Sequence, residues 1–376
     1  MSEKFYGEDH EGFRDVVRAF VARHVEPFVH EWDDRGDIDP TLWPRFGEQG
    51  FLGLGVPEDL GGGGTPDYRY RLILSEELAR VGAASVNSGL SLFDDLVIPY
   101  ILGGTRAQQE LWLPRLCAGE ASAALAITEP DAGSDIRGIQ STAVRHGDGW
   151  RLNGRKTFIT NGLHADVVIV VARTESGLSL FLVERALDGF ESGPPLDKLG
   201  QRGESTTELF LDDVIVGAES LLGEEGNGLG ILKEHLPLER LSIAGFALSA
   251  AEAAYDWTRD HVRTRTAFGQ RIADFQNTRM VMAEMRAELD LTRAWLERAV
   301  IALNGDDLSA QDAAQAKWWT TELQQRILAR CLQLHGGYGY MREQRIARAF
   351  VDGRIQTIYG GATEVLKDGV GRALLR

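Results

Sequence analysis

Apolar positions along the chain follow three regimes in turn. From residue 8 to about 122 they recur at helical spacing. Phe13, Val16, Val17, Phe20 and Val21 fall at i, i+3, i+4, i+7 and i+8, one stripe of an amphipathic helix. The same spacing predicts helices over 41–49, 68–81 and 105–116, with the run Gly61 to Gly64 as a loop between helices. From about 138 to 217 the period drops to two. Strands are predicted over 167–171, 178–183 and 207–211, and Asn153-Gly154 between alternating arms predicts a two-residue hairpin turn. From about 229 onward the pattern is helical again, with long segments over 238–265, 277–303 and 310–335. The predicted class is α+β: a helical domain over 1–122, a small antiparallel β-barrel or sandwich over 123–228, and an antiparallel helical bundle over 229–376.

Composition narrows the functions open to such a chain. With 376 residues, 43% of them hydrophobic and 26% charged, it has the makeup of a globular protein with more than one core. A net charge of -16 argues against nucleic-acid binding, which requires basic surface to neutralise phosphate. Cys117 and Cys331 stand far apart without CxxC spacing, which points to a reducing compartment and to neither a disulfide framework nor a zinc site. The polar, acidic opening MSEKFYGEDHEGFRD lacks the layout of a secretion signal, and no apolar run approaches the roughly 18 residues of a membrane span. A cytoplasmic location is the expectation. The eight histidines form no HxH or HExxH, so no metal site is expected. Neither Gly226-Asn227-Gly228-Leu229-Gly230 nor Gly336-Gly337-Tyr338-Gly339 completes G-x-G-x-x-G, and no G-x-S-x-G occurs.

Two stretches carry candidate chemistry. At the junction of helical and strand regimes, Thr128-Glu129-Pro130-Asp131-Ala132-Gly133-Ser134-Asp135 offers hydroxyls, carboxylates and a glycine that lets a bound group approach the backbone. A capped turn is the alternative reading of these residues alone. In Leu236-Pro237-Leu238-Glu239-Arg240-Leu241, a proline suited to a first helical turn precedes a carboxylate flanked by leucines. Desolvation there would raise the Glu239 pKa, whereas a helix N-terminus and Arg240 would lower it; an ordinary charge cap is the alternative.

TEPDAGSD, RLNGRKTFITNG, LERLSIAG, RTRTAFGQRIADFQ, QLHGGYGY and IYGGATEV occur in the order and spacing of the acyl-CoA dehydrogenases. The chain resembles that family over essentially its whole length. The resemblance implies a helical domain, a β-domain and a C-terminal four-helix bundle, assembled as a homotetramer or dimer around FAD. By matching position, Leu125, Ile127, Thr128, Gly133 and Ser134 would line the flavin, and Phe158, Ile159 and Thr160 would cover its ring system. Arg265 and Phe268 would hold the pyrophosphate and adenosine across a subunit interface, and Gln276, Gln333, Gly336, Gly337, Ala362, Thr363 and Glu364 match further cofactor contacts. Ser134, Leu238, Arg240 and Gly361 would contact substrate. Many relatives place the catalytic base where this chain has Gly360. A second group, similar to the isovaleryl and mammalian long-chain enzymes, carries it in LxxERL, which here is Glu239. The implied reaction is α,β-dehydrogenation of an acyl-CoA to a trans-2-enoyl-CoA. Glu239 would take the α-proton, the Gly360 N–H would polarise the carbonyl, and an electron-transferring flavoprotein would accept the electrons. A carrier-protein-bound substrate and a flavin oxidase or monooxygenase are the alternatives. Acyl length is open, with a medium-to-long straight chain favoured.

Overall fold

A computed structural model of the chain describes residues 5–375. The first domain comprises helices α1 (Glu8–His24), α2 (Val29–Arg35), α3 (Leu42–Glu48), α4 (Tyr68–Arg80), α5 (Ala84–Ser91), α6 (Ile98–Leu102) and α7 (Arg106–Cys117). Val17, Phe20 and Val21 of α1 are buried, as the helical stripe requires, while Val16 at its edge is half exposed. Between α5 and α6 the helix widens over Leu92–Val97, where the Ile98 N–H reaches back to the Phe93 carbonyl. The Gly61–Gly64 loop spends its backbone donors on its own chain: Gly62, Gly63 and Gly64 donate to Pro57, Gly53 and Val56. It is a structural turn.

The middle domain contains β1 (Ala123–Ala126), β2 (Thr142–His146), β3 (Gly149–Thr160), β4 (Val167–Thr174), β5 (Gly177–Glu184), β6 (Phe190–Ser192), β7 (Thr206–Val216) and β8 (Leu221–Leu222). They form one sheet in the order β6-β7-β3-β2-β4-β5-β8, with β1 beside β4. The sheet is not wholly antiparallel, because β1 runs parallel to β4 from Ala123↔Val167 to Ala126↔Val170. Ala-Ala-Leu-Ala is short and built of small residues, so it carries little strand signal of its own. β4 is buried from Val167 to Ala172, which explains its uninterrupted apolar run.

The expected hairpin at Asn153-Gly154 does not form. β3 runs straight through it, and the chain turns at Gly147-Asp148, where His146 pairs with Gly149 and Gly147 takes a φ of 60°. Asn153-Gly154 lies instead at a register shift against β7. Asn153 is tied sideways to Asp213, accepting from its N–H and donating to its carboxylate, both at 2.9 Å. The glycine is required by close packing: a Cβ on Gly154 would stand 2.2 Å from Ser141 Oγ and 2.8 Å from its Cα. Gly154→Ala is therefore expected to cost about 1–3 kcal/mol by overpacking. A denaturant melt unchanged by the substitution would disprove this close approach.

After the sheet come α8 (Gly228–Thr264), a small hairpin of β9 (Thr266–Ala267) and β10 (Gln270–Arg271), α9 (Gln276–Asn304), α10 (Ala310–His335), α11 (Arg345–Gly353) and α12 (Thr363–Leu374). Pro237 is not at the start of α8 but inside it, nine residues beyond Gly228. The helix begins at Asn227, after Gly226 in the left-handed region, and continues through the proline because both flanking segments are packed. Leu241, Ala244, Leu248, Ala251 and Tyr255 of α8 meet Met285 and Leu289 of α9 and Leu323 and Ile327 of α10 in one buried cluster. That cluster fixes α8, and with it Glu239, against α10.

Candidate active site

The loop after β1 is held from beneath by a buried ion pair. Lys156 of β3 is without exposed surface, and its Nζ donates to Glu129 Oε1 at 2.7 Å and to the Ile127 carbonyl at 3.1 Å. Glu129 also accepts from the backbone N–H groups of Gln140 (2.6 Å) and Ser141 (2.9 Å). Burial would raise the Glu129 pKa, but these hydrogen bonds outweigh it and hold the carboxyl below its usual range. Burial pulls the Lys156 ammonium down to about 8 against the pull of Glu129. The Thr157 N–H donates to the Thr128 carbonyl at 2.9 Å, which closes strand and loop together. Directly after it, a bulge between Lys156 and Ile159 flips one side chain outward. Phe158, at φ 59°, is 68% exposed between buried Thr157 and Ile159. A flat aromatic face is thus displayed beside the Thr128 backbone, flanked by half-buried Leu125, Ile127 and Thr160.

The second part of the site lies where α8 meets the turn before α12. Gly360 and Gly361 have φ of 62° and 99°, both in the left-handed region that favours glycine. A Cβ on Gly360 would be 3.5 Å from Glu239 Oε1 and 2.3 Å from Ile243 Cδ1, so the carboxylate of α8 directly faces this glycine. Glu239 is half-buried. Because it sits in mid-helix, no helix N-terminus stabilises its charge. Burial raises its pKa, Asp95 adds to the rise, and the opposing pull of Arg240 and Lys317 does not cancel it. Buried Tyr100 supplies an apolar wall, its phenol raised by burial and by the Glu239 charge and its ring tilted against His235 with centroids 4.4 Å apart. Below, Asp95 binds Arg71 at 2.8 Å and accepts from Ser91 at 2.8 Å and from Ser242, one turn beyond Glu239 on α8. Glu364, the carboxylate four residues beyond Gly360, is exposed in the first turn of α12.

Comparison with known proteins agrees with this layout. The family models for the acyl-CoA dehydrogenase N-terminal, middle and C-terminal domains match residues 7–120, 124–214 and 226–375. The chain belongs to the acyl-CoA dehydrogenase family. It is similar to the mitochondrial long-chain specific acyl-CoA dehydrogenase of Rattus norvegicus, 41% identical over 380 residues, covering 99% of this chain and 88% of that protein. Among solved structures it is similar to an acyl-CoA dehydrogenase from Geobacillus kaustophilus, 41% identical with a TM-score of 0.96 and 99% of each chain covered. It is also similar to a glutaryl-CoA dehydrogenase from Mycobacterium smegmatis in complex with FADH2, 29% identical, TM-score 0.94, covering 99% of this chain and 96% of that one.

Within this acyl-CoA dehydrogenase the remaining expected residues form a second group. Arg265 lies over the Tyr338 ring at 5.4 Å, which joins the end of α8 to the Gly336–Tyr340 turn. Phe268, at φ 50°, is 96% exposed, and Gln276, Gln333, Gly336 and Gly337 are exposed too. The elements that carry this group pack mainly on α8 to α11. Ser134 and Gly133 are exposed at the loop tip, with nothing near a Cβ on Gly133. Leu238 and Arg240 flank Glu239, and Arg240 Nη2 stands 3.8 Å from a Cβ position on Gly361. The residues fit a flavin: an outward-turned phenylalanine and a strand-end backbone at one place, an exposed arginine with aromatic neighbours at another. Lys317 and the Arg71–Asp95 pair lie outside every motif, and Lys156, though inside RLNGRKTFITNG, takes no role from the resemblance. Their signal was positional, a charged residue on a face whose other members are apolar.

Proposed function

We propose that the chain is an FAD-dependent acyl-CoA dehydrogenase in which Glu239 removes the α-proton of the thioester. The observation that carries this reading is the half-buried Glu239 carboxylate facing Gly360, with no carboxylate available on the glycine itself. Burial makes Glu239 a stronger base than an exposed carboxylate. The Gly360 N–H, unused by any backbone hydrogen bond among the described residues, can donate to the thioester oxygen as negative charge develops there. What a bound flavin supplies is acceptance of the β-hydrogen with its electron pair. The substrate thus loses one proton to Glu239 and one hydride, and gains the Cα=Cβ bond. Leu125, Ile127, Thr128, Gly133, Ser134 and the stretch Phe158, Ile159 and Thr160 would hold the flavin ring end, with Ala362, Thr363 and Glu364 beside it.

The second group, Arg265, Phe268, Gln276, Gln333, Gly336 and Gly337, would hold the nucleotide end for a neighbouring subunit. Its exposure in a single chain supports a homotetramer or dimer. The electron acceptor would be an electron-transferring flavoprotein. A cytoplasmic setting fits two buried, unpaired cysteines.

Anaerobic mixing of the FAD-loaded protein with butyryl-, isovaleryl-, octanoyl- and palmitoyl-CoA tests the reading. Bleaching of the oxidised-flavin absorbance by at least one is expected, with the long straight chains fastest. No bleaching by any CoA ester would overturn it in favour of a carrier-bound substrate, and rapid oxygen uptake during turnover would favour an oxidase.

A further inference from the structure

Lys317 is a charged residue on the buried face of its helix. α10 turns Ala313, Ala316, Thr320, Leu323 and Ile327 inward, and Lys317 shares that face without exposed surface. Its Nζ donates to the Gly361 carbonyl at 2.7 Å. Among the described residues no other hydrogen bond holds the backbone of Gly360 or Gly361. Consecutive glycines have several backbone conformations of similar energy, so a pair at φ 62° and 99° needs an external hold to keep one of them. Side chains crowd the pair, Ile243 against Gly360 and Leu366 against Gly361, but they restrict it without grasping its peptide groups.

We propose that Lys317 is a positioning residue for α-proton removal: by fixing the Gly361 carbonyl, it aims the Gly360 N–H into the space in front of Glu239. This rests on Glu239 as the base. The same ammonium also favours the carboxylate form of Glu239, acting beside Arg240. The groups that face Lys317 are Glu239 and Arg240 on α8 and Glu364 on α12. Burial pulls its pKa down to about 7, with Glu239 and Glu364 opposing and Arg240 assisting. Its proton is therefore held only up to the neutral range, and the anchor weakens as pH rises above it.

Lys317→Met tests the assignment, since methionine fills similar volume without a donor or a charge. The FAD-loaded variant is expected to stay folded and to melt a few degrees below the wild type, because the Gly361 carbonyl loses its donor and Glu239 a facing cation. Its KM for palmitoyl-CoA should stay within about threefold, while the anaerobic bleaching rate falls about a hundredfold, the scale of a misplaced oxyanion donor. The acid limb of that rate should also move upward, because Glu239 loses a cation. Bleaching within threefold of wild type would overturn the proposal. If Lys317→Met does not hold FAD, Lys317→Arg decides. Its guanidinium stays charged, so the alkaline limb should move up, and an alkaline limb at the wild-type position would overturn the proposal. Glu239→Gln measured alongside separates the two claims: normal bleaching there removes the base, whereas a dead Glu239→Gln with a normal Lys317→Met removes only the anchor.

Discussion

Glu239→Gln is expected to retain FAD and acyl-CoA binding while losing about three to four decades of the anaerobic bleaching rate, the contribution of an essential general base. That loss corresponds to roughly 4–5 kcal/mol of barrier. The amide keeps size and much of the polarity, so binding contacts survive; what disappears is the lone pair that accepts the proton. Glu364→Gln should spare α-proton removal in the FAD-loaded protein, with any loss confined to FAD affinity, since Glu364 is exposed in the first turn of α12 while Gly360 faces Glu239. A Glu364→Gln variant that is dead beside a working Glu239→Gln would reverse the assignment. The pH dependence has a fixed sign. Glu239 must be ionised to act, and burial raises its pKa, so the wild-type rate should fall as pH drops through that raised value. For stability the direction is opposite. A carboxyl with a raised folded pKa contributes fully below the unfolded value, and that contribution is lost as pH rises through the folded value. Glu239→Gln should therefore be no less stable than the wild type near neutral pH, a separation of stability from activity that a melting curve can check.

Period and motif made much of this legible in advance, and the failures have identifiable causes. Long amphipathic patterns in α1, α9 and α10 survive because a buried stripe over several turns dominates any local preference. Asn153-Gly154 misled because a two-residue turn signal describes local conformation only. Close approach to Ser141 and pairing on both edges of β3 placed the same dipeptide in mid-strand, while Gly147-Asp148 made the turn. Pro237 misled likewise: proline is best tolerated at a first turn, yet packing on either side carries α8 through it. That displacement settles the electrostatics of Glu239, which needed the position of a helix end to resolve. Asp95, Arg71 and Lys317 are distant from Glu239 in sequence, so no spacing could have joined them to it.

The buried pair under the flavin-side loop carries the largest expected effect on stability. Glu129→Ala leaves Lys156, which has no exposed surface, without its anion, and deprives the Gln140 and Ser141 N–H groups of their acceptor. Breaking a buried pair by removing one partner costs about 3–5 kcal/mol. In a protein of this size that should lower the melting temperature by roughly 4–6 °C. The pair's dependence on acid follows from the same contacts. Glu129 is held below its ordinary range, so its contribution is present above the unfolded carboxyl value and is lost as pH falls through the folded one. Lys156, pulled down to about 8, remains mostly charged at neutral pH because the carboxylate is beside it. Function should suffer through position: Lys156 also holds the Ile127 carbonyl, and Thr157 next to it holds Thr128, so the loop loosens where the flavin ring would rest. Glu129→Ala should accordingly lose FAD on gel filtration before it loses helical content. Replacing both members, as Glu129→Leu with Lys156→Met, should recover most of the melting temperature because apolar groups of similar size need no partner. FAD retention should recover less, since Lys156→Met removes the hydrogen bond to the Ile127 carbonyl. A Glu129→Ala protein that melts within 2 °C of the wild type would mean that Lys156 is neutral in the folded chain, and that backbone contacts alone hold the loop.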